Sequence, residues 1–230
     1  MKIVGLQKLT LLDYPGRAAC TVFTCGCNFR CPFCQNSDLV LPGASSESLD
    51  LDEFFAFLKK RAGLLDGICI SGGEPLLHPD IDDLMEKAKK LGYLVKLDTN
   101  GSFPEKLKDV VDKKLVDYVA MDIKNSPEGY SRTIGVENFD ISSVKESAAF
   151  LMTGVVEFEF RTTVVREFHR KEDFRFIGSW LHGGEKYFLQ AFQDSGSLIQ
   201  PGLHGYSKAE MEEFRDILKS DIPHVALRGV

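Results

Sequence analysis

The sequence predicts an α/β protein whose parallel strands form a partial, open (β/α)6 TIM-like barrel. Short β-rich segments alternate with longer segments of helical periodicity, and this alternation is typical of βαβ units and a parallel sheet. Six such units follow one another, fewer than the eight that close a full barrel. Polar motifs come after the ends of successive strands, where such barrels place their active sites, whereas a doubly wound sheet would gather them at one switch point.

The predicted elements alternate along most of the chain. The strands are predicted at residues 18–24, 67–71, 93–97, 118–123, 157–165 and 186–192. The helices are predicted at residues 51–61, 81–91, 105–113, 142–152, 172–181 and 208–218.

The first predicted helix shows the pattern that supports these assignments. Its apolar residues recur at the spacing i, i+3, i+4, i+7 and therefore share one face: Leu51, Phe54, Phe55 and Leu58. Asp50 before this helix and Ser142 at the fourth are suitable N-caps, and Gly92 after the second is a suitable C-cap.

Composition indicates one globular domain over residues 1–230. The chain is 43% hydrophobic and 27% charged, with a formal net charge of −6. The acidic balance argues against a large nucleic-acid surface, and no apolar run approaches the roughly 20 residues of a membrane span. The N-terminus becomes polar too early for a signal peptide. We therefore expect a cytoplasmic protein that binds neither nucleic acid nor membrane.

Four of the six cysteines lie within ten residues, directly after the first predicted strand: Cys25, Cys27, Cys31 and Cys34. Cys20 and Cys69 lie in apolar strand segments, where cysteine is usually a small buried hydrophobe. A disulfide scaffold would spread its cysteines over a short secreted chain. The crowding of four cysteines in one loop instead predicts metal binding or redox chemistry.

Cys27, Cys31 and Cys34 have the spacing Cys-x3-Cys-x2-Cys. Thiolates bind iron–sulfur clusters, and a four-iron cluster held by only three of them keeps one iron open to a small-molecule ligand. The alternative is a zinc site with Cys25 as the fourth ligand, but the Cys25-x-Cys27 spacing is shorter than zinc ligands usually have. We expect Cys25 to be a neighbour rather than a ligand.

Polar motifs follow the next strands. Gly72 and Gly73 allow a ligand to approach the backbone closely, and Glu74 can accept a hydrogen bond from an ammonium, although the segment could also be a plain βα turn. Asp98 and Asn100 end the third strand, where a carboxylate can pair with a cationic ligand or accept hydrogen bonds from hydroxyl groups.

The fourth and fifth strands carry charged residues that point into the predicted barrel. Asp122 and Lys124 alternate along the fourth strand and therefore share one face, where they are unfavourable unless paired or bound to a ligand. Arg161 shares a face of the fifth strand with Thr163, and it could reach a ligand or form an ion pair. The histidines are predicted to be surface residues: His78, His169, His182, His204 and His224.

Together these motifs resemble the radical S-adenosylmethionine (SAM) superfamily. In that family an aromatic residue, here Phe33, precedes the last cysteine, and a Gly-Gly-Glu-Pro motif, here residues 72–75, holds the SAM amino group. The resemblance implies a [4Fe-4S] cluster on the three cysteines, with its open iron bound to the amino and carboxylate groups of SAM. It also implies one-electron cleavage of SAM to methionine and a 5′-deoxyadenosyl radical, with no catalytic residue beyond the cluster and SAM.

The resemblance also implies the SAM-binding residues. Asp98, Asn100 and Lys124 look like positions of the glycyl-radical-enzyme activases, in which the matching Asp and Lys contact SAM. The other expected SAM-binding residues are Phe33, Asn36, Gly72, Gly73, Glu74, Arg161 and Gln190. Gln190 stands where the pyruvate formate-lyase type has a SAM-contacting His, and Gln35 stands where many activases carry His.

Two terminal motifs, at residues 10–16 and 226–229, look like the branch that activates anaerobic ribonucleoside-triphosphate reductase. The implied activity is the generation of a glycyl radical on the C-terminal glycine loop of a partner glycyl radical enzyme, with reduced flavodoxin or ferredoxin as electron donor. Two alternatives stay open: a small-molecule enzyme of the 7-carboxy-7-deazaguanine synthase kind, and a non-catalytic zinc-stabilised binding domain.

Overall fold

The computed structural model describes residues 2–41, 48–194 and 196–230, and within these ranges it contains eight strands and eight α-helices. The strands are β1 (Ile3–Thr10), β2 (Ala19–Thr24), β3 (Gly67–Gly72), β4 (Leu94–Thr99), β5 (Tyr118–Asp122), β6 (Glu157–Val164), β7 (Lys186–Ala191) and β8 (His224–Arg228). The helices are α1 (Ser37–Val40), α2 (Leu51–Arg61), α3 (Ile81–Lys90), α4 (Pro104–Asp112), α5 (Tyr130–Ile134), α6 (Ser142–Leu151), α7 (Lys171–Trp180) and α8 (Lys208–Leu218).

The strands are hydrogen-bonded in chain order, from β1 to β8, in one sheet. β1 pairs antiparallel with β2, whereas β2 with β3, β3 with β4, β6 with β7 and β7 with β8 pair in parallel. The α/β class and the parallel pairing are confirmed, and the six predicted strands correspond to β2–β7. The sheet has two further strands, β1 and β8, that the sequence analysis did not predict.

The described chain divides into two compact units. The first unit consists of Met1–Asn28, Asp38–Thr99 and Phe103–Ala120. The second unit consists of Phe29–Ser37, Asn100–Ser102 and Met121–Val230. The prediction of a single domain over residues 1–230 stays a prediction.

In the first unit, α2 buries the apolar face that its spacing predicts, with Phe54, Phe55 and Leu58 buried. The Asp50 carboxylate accepts hydrogen bonds from the Asp52 and Glu53 N–H groups and caps this helix, as predicted. Gly92 follows α3 with a φ of 86°, a left-handed conformation that suits a glycine after a helix end.

In the second unit, Phe174 of α7 stacks on Phe214 of α8, with ring centroids 4.6 Å apart. α6 begins at Ser142 as predicted, but Ser142 is not its N-cap. The Asp140 carboxylate instead accepts hydrogen bonds from both the N–H and the hydroxyl of Ser142. The capping prediction was wrong because the acceptor lies two residues earlier in the chain.

Within the described residues, none of the helices has the length and apolar character needed to cross a membrane.

Candidate cofactor site

The cysteine loop begins in the first unit, directly after β2. Cys25 donates its N–H to the Lys2 carbonyl at 3.2 Å, and Gly26 donates its N–H to the Leu39 carbonyl at 2.7 Å. The Gly26 carbonyl accepts the Glu74 N–H at 2.8 Å. The start of the cysteine loop and the turn after β3 therefore lie against each other.

Both glycines of this turn are sterically required. A Cβ on Gly72 would lie 2.4 Å from the backbone nitrogen of Thr24, and the residue has a φ of 116°. A Cβ on Gly73 would lie 1.8 Å from the carbonyl oxygen of Gly26. These distances are far below van der Waals contact, so positions 72 and 73 accept only glycine while the loop keeps this path.

Glu74 is fully buried, which is rare for a carboxylate and requires hydrogen-bonding partners. Its Oε1 accepts the Thr99 hydroxyl at 2.8 Å and the Leu76 N–H at 3.1 Å, and the second bond caps a short 3-10 helix at Pro75–Leu77. The carboxylate is therefore held in one position at the carboxyl ends of β3 and β4. This placement is compatible with the predicted role of Glu74 toward an ammonium.

Asp98 lies at the end of β4, and its carboxylate accepts a hydrogen bond from the ammonium of Lys96. Lys96 is 1% exposed, and its Nζ also lies 3.7 Å from Sγ of Cys69 on the adjacent strand. Lys96 was not among the residues predicted from the sequence, although the Lys96-x-Asp98 spacing is the same as the Asp122-x-Lys124 spacing. Cys69 is fully buried in its strand, as predicted.

The rest of the cysteine loop lies in the second unit. Cys34 donates its N–H to the Cys31 carbonyl at 2.9 Å, which makes a tight turn around Phe33. Arg30 donates its N–H to the Ile134 carbonyl at 2.8 Å, and a Cβ on Gly135 would lie 2.3 Å from the Arg30 carbonyl oxygen. These contacts fix the path of the segment that carries the last two cysteines.

The segment after β7 also contacts the cysteine loop. The Gln35 side chain donates to the Gln193 carbonyl at 2.7 Å, and the Ser37 hydroxyl donates to the Ser197 carbonyl at 2.6 Å. The Gln200 N–H donates to the Pro32 carbonyl at 2.9 Å. Gln35, which departs from the activase pattern, thus has a structural contact here.

Asp122 binds two cations. Its Oδ1 accepts from Nε of Arg161 at 2.9 Å, and its Oδ2 accepts from Nζ of Lys124 at 3.0 Å. Burial opposes the charge on Lys124, but the Asp122 carboxylate and the negative charge of Cys31 together outweigh it, so the pKa of Lys124 lies above its usual value. The ion-pair alternative considered for Asp122, Lys124 and Arg161 is therefore present in this structure.

Charged groups also act on the Cys34 thiol. Burial raises the pKa of Cys34, while a hydrogen bond from the Asn36 N–H and the positive charges of Lys124 and Arg30 oppose that rise. A nearby cation favours the thiolate, which is the form that binds a metal. Burial outweighs these contributions and the Asp122 carboxylate adds to it, so in this structure the pKa of Cys34 lies above its ordinary value.

The prediction that all five histidines are surface residues was wrong for His169, whereas His78 is half-buried. His169 is fully buried: its Nδ1 accepts the Val165 N–H at 3.0 Å, and its Nε2 lies 2.8 Å from the Lys124 carbonyl. His78 has its Nε2 2.9 Å from the Cys25 carbonyl. Sequence spacing gave no signal for either, because both partners are backbone carbonyls.

His169 also packs against the cysteine loop. Its ring centroid lies 6.5 Å from that of Phe33, and Phe33 lies 5.7 Å from Phe168. Phe33 is buried, so in this structure it packs the loop against the segment that follows β6. Burial lowers the pKa of His169, which keeps the imidazole neutral.

The remaining predicted residues lie in different surroundings. Asn36 is exposed, whereas Asn100 is buried and its Oδ1 accepts the N–H of Ser102 at 2.9 Å. Gln190 is half-buried on β7, paired in register with Thr163 on one side and Arg228 on the other.

The donor chemistry of the cysteine loop fits an iron–sulfur cluster, since all six cysteines carry thiols rather than disulfides. Among the described residues, no three His, Cys, Asp or Glu side chains are gathered as they would be around a bound metal ion. The assignment of Cys27, Cys31 and Cys34 as cluster ligands stays a prediction.

Comparison with known proteins agrees with these features. The family model described as "Radical SAM superfamily" matches residues 21–148. A protein of Methanocaldococcus jannaschii, provisionally named a glycyl-radical enzyme activating enzyme, is 30% identical over 99% of this chain and 96% of its own length. The 7-carboxy-7-deazaguanine synthase of Koribacter versatilis is 31% identical over 69% of this chain and 65% of its own length.

A solved structure shows the same fold. The crystal structure of Streptococcus suis SuiB bound to S-adenosylmethionine has a TM-score of 0.70, with 12% identity over 90% of this chain and 49% of that one. At this identity the likeness concerns the fold alone. It confirms the predicted fold class.

Proposed function

Because the chain belongs to the radical SAM superfamily, we propose that it is an activase that generates a glycyl radical on a partner enzyme. The observation that carries this proposal is the end-to-end similarity to the glycyl-radical enzyme activating enzyme, which extends over 99% of this chain. A [4Fe-4S] cluster and SAM are the cofactors of this superfamily, and when bound they supply the one-electron chemistry that removes a hydrogen atom from glycine.

The side chains of the site have separate roles in this proposal. Cys27, Cys31 and Cys34 hold the cluster, since three thiolates leave one iron open to SAM. Glu74 is suited to accept the SAM ammonium because its carboxylate is buried and already oriented by two hydrogen bonds. Gly73 brings the backbone close to the cysteine loop without a side chain that would intrude.

Charged and polar residues complete the proposed SAM site. Asp98 is suited to the sulfonium or the ribose hydroxyls, and Lys124 and Arg161 to the SAM carboxylate. The two cations share Asp122, whose single negative charge offsets one of their two positive charges. Further SAM contacts are proposed for Phe33, Asn36, Gly72, Asn100 and Gln190. Together these groups orient the cofactor, and orientation is the main contribution that a protein makes to such chemistry.

We further propose that the partner is an anaerobic ribonucleoside-triphosphate reductase and that reduced flavodoxin or ferredoxin supplies the electron. Residues 10–16 and 226–229 support this choice of branch. In the first motif, the Thr10 hydroxyl oxygen accepts the N–H groups of Leu12 and Asp13 at 3.2 Å each. In the second, Arg228 donates to both carboxylate oxygens of the buried Glu159, at 2.7 and 2.9 Å.

The proposed activity is tested by anaerobic reconstitution of the protein with iron, sulfide, SAM and a reductant, in the presence of candidate glycyl radical enzymes. Electron paramagnetic resonance should show a glycyl radical on the partner, and the Cys31→Ala variant should show none. SAM cleavage without a glycyl signal on any candidate would contradict the activase assignment and leave the superfamily assignment intact.

The second candidate is a 7-carboxy-7-deazaguanine synthase, which the 31% identity over 69% of the chain favours. The same reconstituted protein should then form 7-carboxy-7-deazaguanine without a partner enzyme. For the zinc-stabilised binding domain, metal analysis is decisive, because that alternative requires zinc in place of iron and sulfide.

A further inference from the structure

Lys96 is a buried ammonium to which no role has been given so far. Its side chain is 1% exposed, and its Nζ donates to the Asp98 carboxylate and lies 3.7 Å from Sγ of Cys69. Burying a lysine is unfavourable unless its charge is paired. A buried lysine on a strand that carries a proposed ligand-binding carboxylate therefore requires an explanation.

The strand geometry explains why Lys96 and Asp98 meet. They are two residues apart on β4, so their side chains point to the same face of the sheet. The parallel register pairs Lys96 with Cys69 on β3, and Cys69 is fully buried. The side chain of Lys96 is thus confined between a fixed neighbour on the adjacent strand and the carboxylate at the end of its own strand.

The two partners differ in exposure. The Asp98 side chain is 15% exposed, against 1% for Lys96. Asp98 lies nearer the carboxyl end of β4, where the polar motifs of the site are found. Lys96 lies two residues before it along the strand and is more deeply buried. Asp98 is the member of the pair that can reach a ligand, while Lys96 can act only through it.

We propose that Lys96 is a positioning residue for SAM binding. Its ammonium holds the Asp98 carboxylate in one orientation, so that the carboxylate is prepared for SAM before SAM arrives. A preorganised charged group binds its ligand more tightly than a mobile one. This inference rests on the SAM-binding role proposed for Asp98, but it is independent of the identity of the partner enzyme.

The test is a double-mutant cycle on the anaerobically reconstituted full-length protein, with the dissociation constant for SAM measured by titration calorimetry. The cycle comprises the wild type, Lys96→Met, Asp98→Asn and the double variant. Each single substitution should weaken SAM binding about tenfold, which corresponds to about 1.4 kcal/mol. The double variant should bind SAM no more weakly than Asp98→Asn, because Lys96 acts through Asp98.

Lys89→Met is the matched control. Lys89 pairs with Asp117 at 2.7 Å, and Asp117 accepts the Val95 N–H near the other end of β4. This variant should lower the melting temperature and leave the SAM dissociation constant unchanged. If Lys96→Met fails to fold, Lys96→Gln replaces it in the cycle with the same expectation, because the shorter glutamine keeps a polar group on the strand but removes the ammonium that holds Asp98.

Three outcomes would overturn the inference. The first is that Lys96→Met lowers the melting temperature and leaves the SAM dissociation constant unchanged, as Lys89→Met should. The second is that the double variant binds SAM about a hundredfold more weakly than the wild type, so that the two single effects multiply. The third is that Asp98→Asn itself leaves SAM binding unchanged. A wild type that binds SAM but forms no glycyl radical would contradict the activase proposal and leave this inference standing.

Discussion

The carbonyl oxygen of Gly26 occupies the place where any side chain at position 73 would begin, since a Cβ on Gly73 would lie 1.8 Å from it. The Glu74 N–H donates to the same oxygen at 2.8 Å, so the carbonyl cannot move away without losing a hydrogen bond. The cysteine loop and the Gly-Gly-Glu-Pro turn are thus joined through backbone atoms alone.

We therefore expect Gly73→Ala to destabilise the protein by about 3 kcal/mol, the upper part of the usual range for overpacking, because backbone must move to admit the methyl group. Gly183→Ala is the control: it has a φ of 84° but no atom within 4 Å of a Cβ, so only backbone strain of about 1–2 kcal/mol applies. Denaturant unfolding measures both. Equal losses in the two variants would contradict the steric argument.

Glu74→Gln should separate binding from stability. A glutamine carbonyl can still accept the Thr99 hydroxyl and the Leu76 N–H, so the free energy of unfolding should change little. Loss of the charge should weaken SAM binding by about 1.5–3 kcal/mol, the usual contribution of a hydrogen bond to a charged group. Calorimetric titration with SAM measures this effect.

Thr99→Val provides the opposite control, because it removes the hydroxyl donor and keeps the carboxylate charge. It should lower the free energy of unfolding by about 1 kcal/mol and weaken SAM binding less than Glu74→Gln does, because the charge and the bond from the Leu76 N–H are kept. If Glu74→Gln lowered the free energy of unfolding as much as Thr99→Val does and still bound SAM normally, Glu74 would serve only as a structural cap.

The free energy of unfolding should decrease as the pH is lowered below the ordinary pKa of histidine, because His169 is buried as a neutral imidazole. Burial lowers the pKa of His169 in the folded protein, while the unfolded chain binds a proton near pH 6.5. The unfolded state therefore binds more protons as the pH falls, and the stabilisation present above pH 6.5 is progressively lost below it. Protonation of Nδ1 would also break the bond from the Val165 N–H.

Thermal unfolding between pH 8 and pH 5 measures this dependence. His169→Gln should reduce its slope, because it removes the buried imidazole. The same slope in wild type and His169→Gln would show that another group is responsible.

The cysteine assignment predicts two groups of variants. Alanine at Cys27, Cys31 or Cys34 should abolish iron binding after anaerobic reconstitution, because each supplies one of three thiolates. Alanine at Cys20, Cys25 or Cys69 should keep it. Iron and sulfide analysis distinguishes the groups, and complete loss of iron in Cys25→Ala would exclude the three-ligand cluster.

The fold could be predicted where burial is continuous along the chain. β2 and β3 are apolar runs buried on both faces, and such runs are recognisable without knowledge of their neighbours. β1 was missed because three of its eight residues are exposed, in the segment at Gln7, Lys8 and Leu9. An edge strand has only one neighbour to cover it, so its sequence carries a weaker pattern.

The site could be predicted where local spacing encodes it, as in the three cysteines and the two glycines. It could not be predicted where the partner comes from elsewhere in the fold. The neutral imidazole of His169 binds the Lys124 carbonyl, 45 residues earlier in the chain, and a backbone acceptor leaves no mark on the sequence. Lys96 is an intermediate case, because its spacing from Asp98 was visible but its burial was not.

The burial of Cys20 in β2 gives the protein a built-in reference for chemical labelling. Its pKa is raised to about 12 by desolvation, and Cys69 is equally inaccessible, so neither thiol should react with an alkylating reagent at neutral pH. Cys25, Cys27 and Cys34 are only half-buried. Counting modified thiols by mass spectrometry in the native protein therefore reports on the cysteine loop alone. A bound cluster should protect Cys27 and Cys34 from the reagent, so the protected fraction of these thiols measures how many molecules in a preparation carry a cluster.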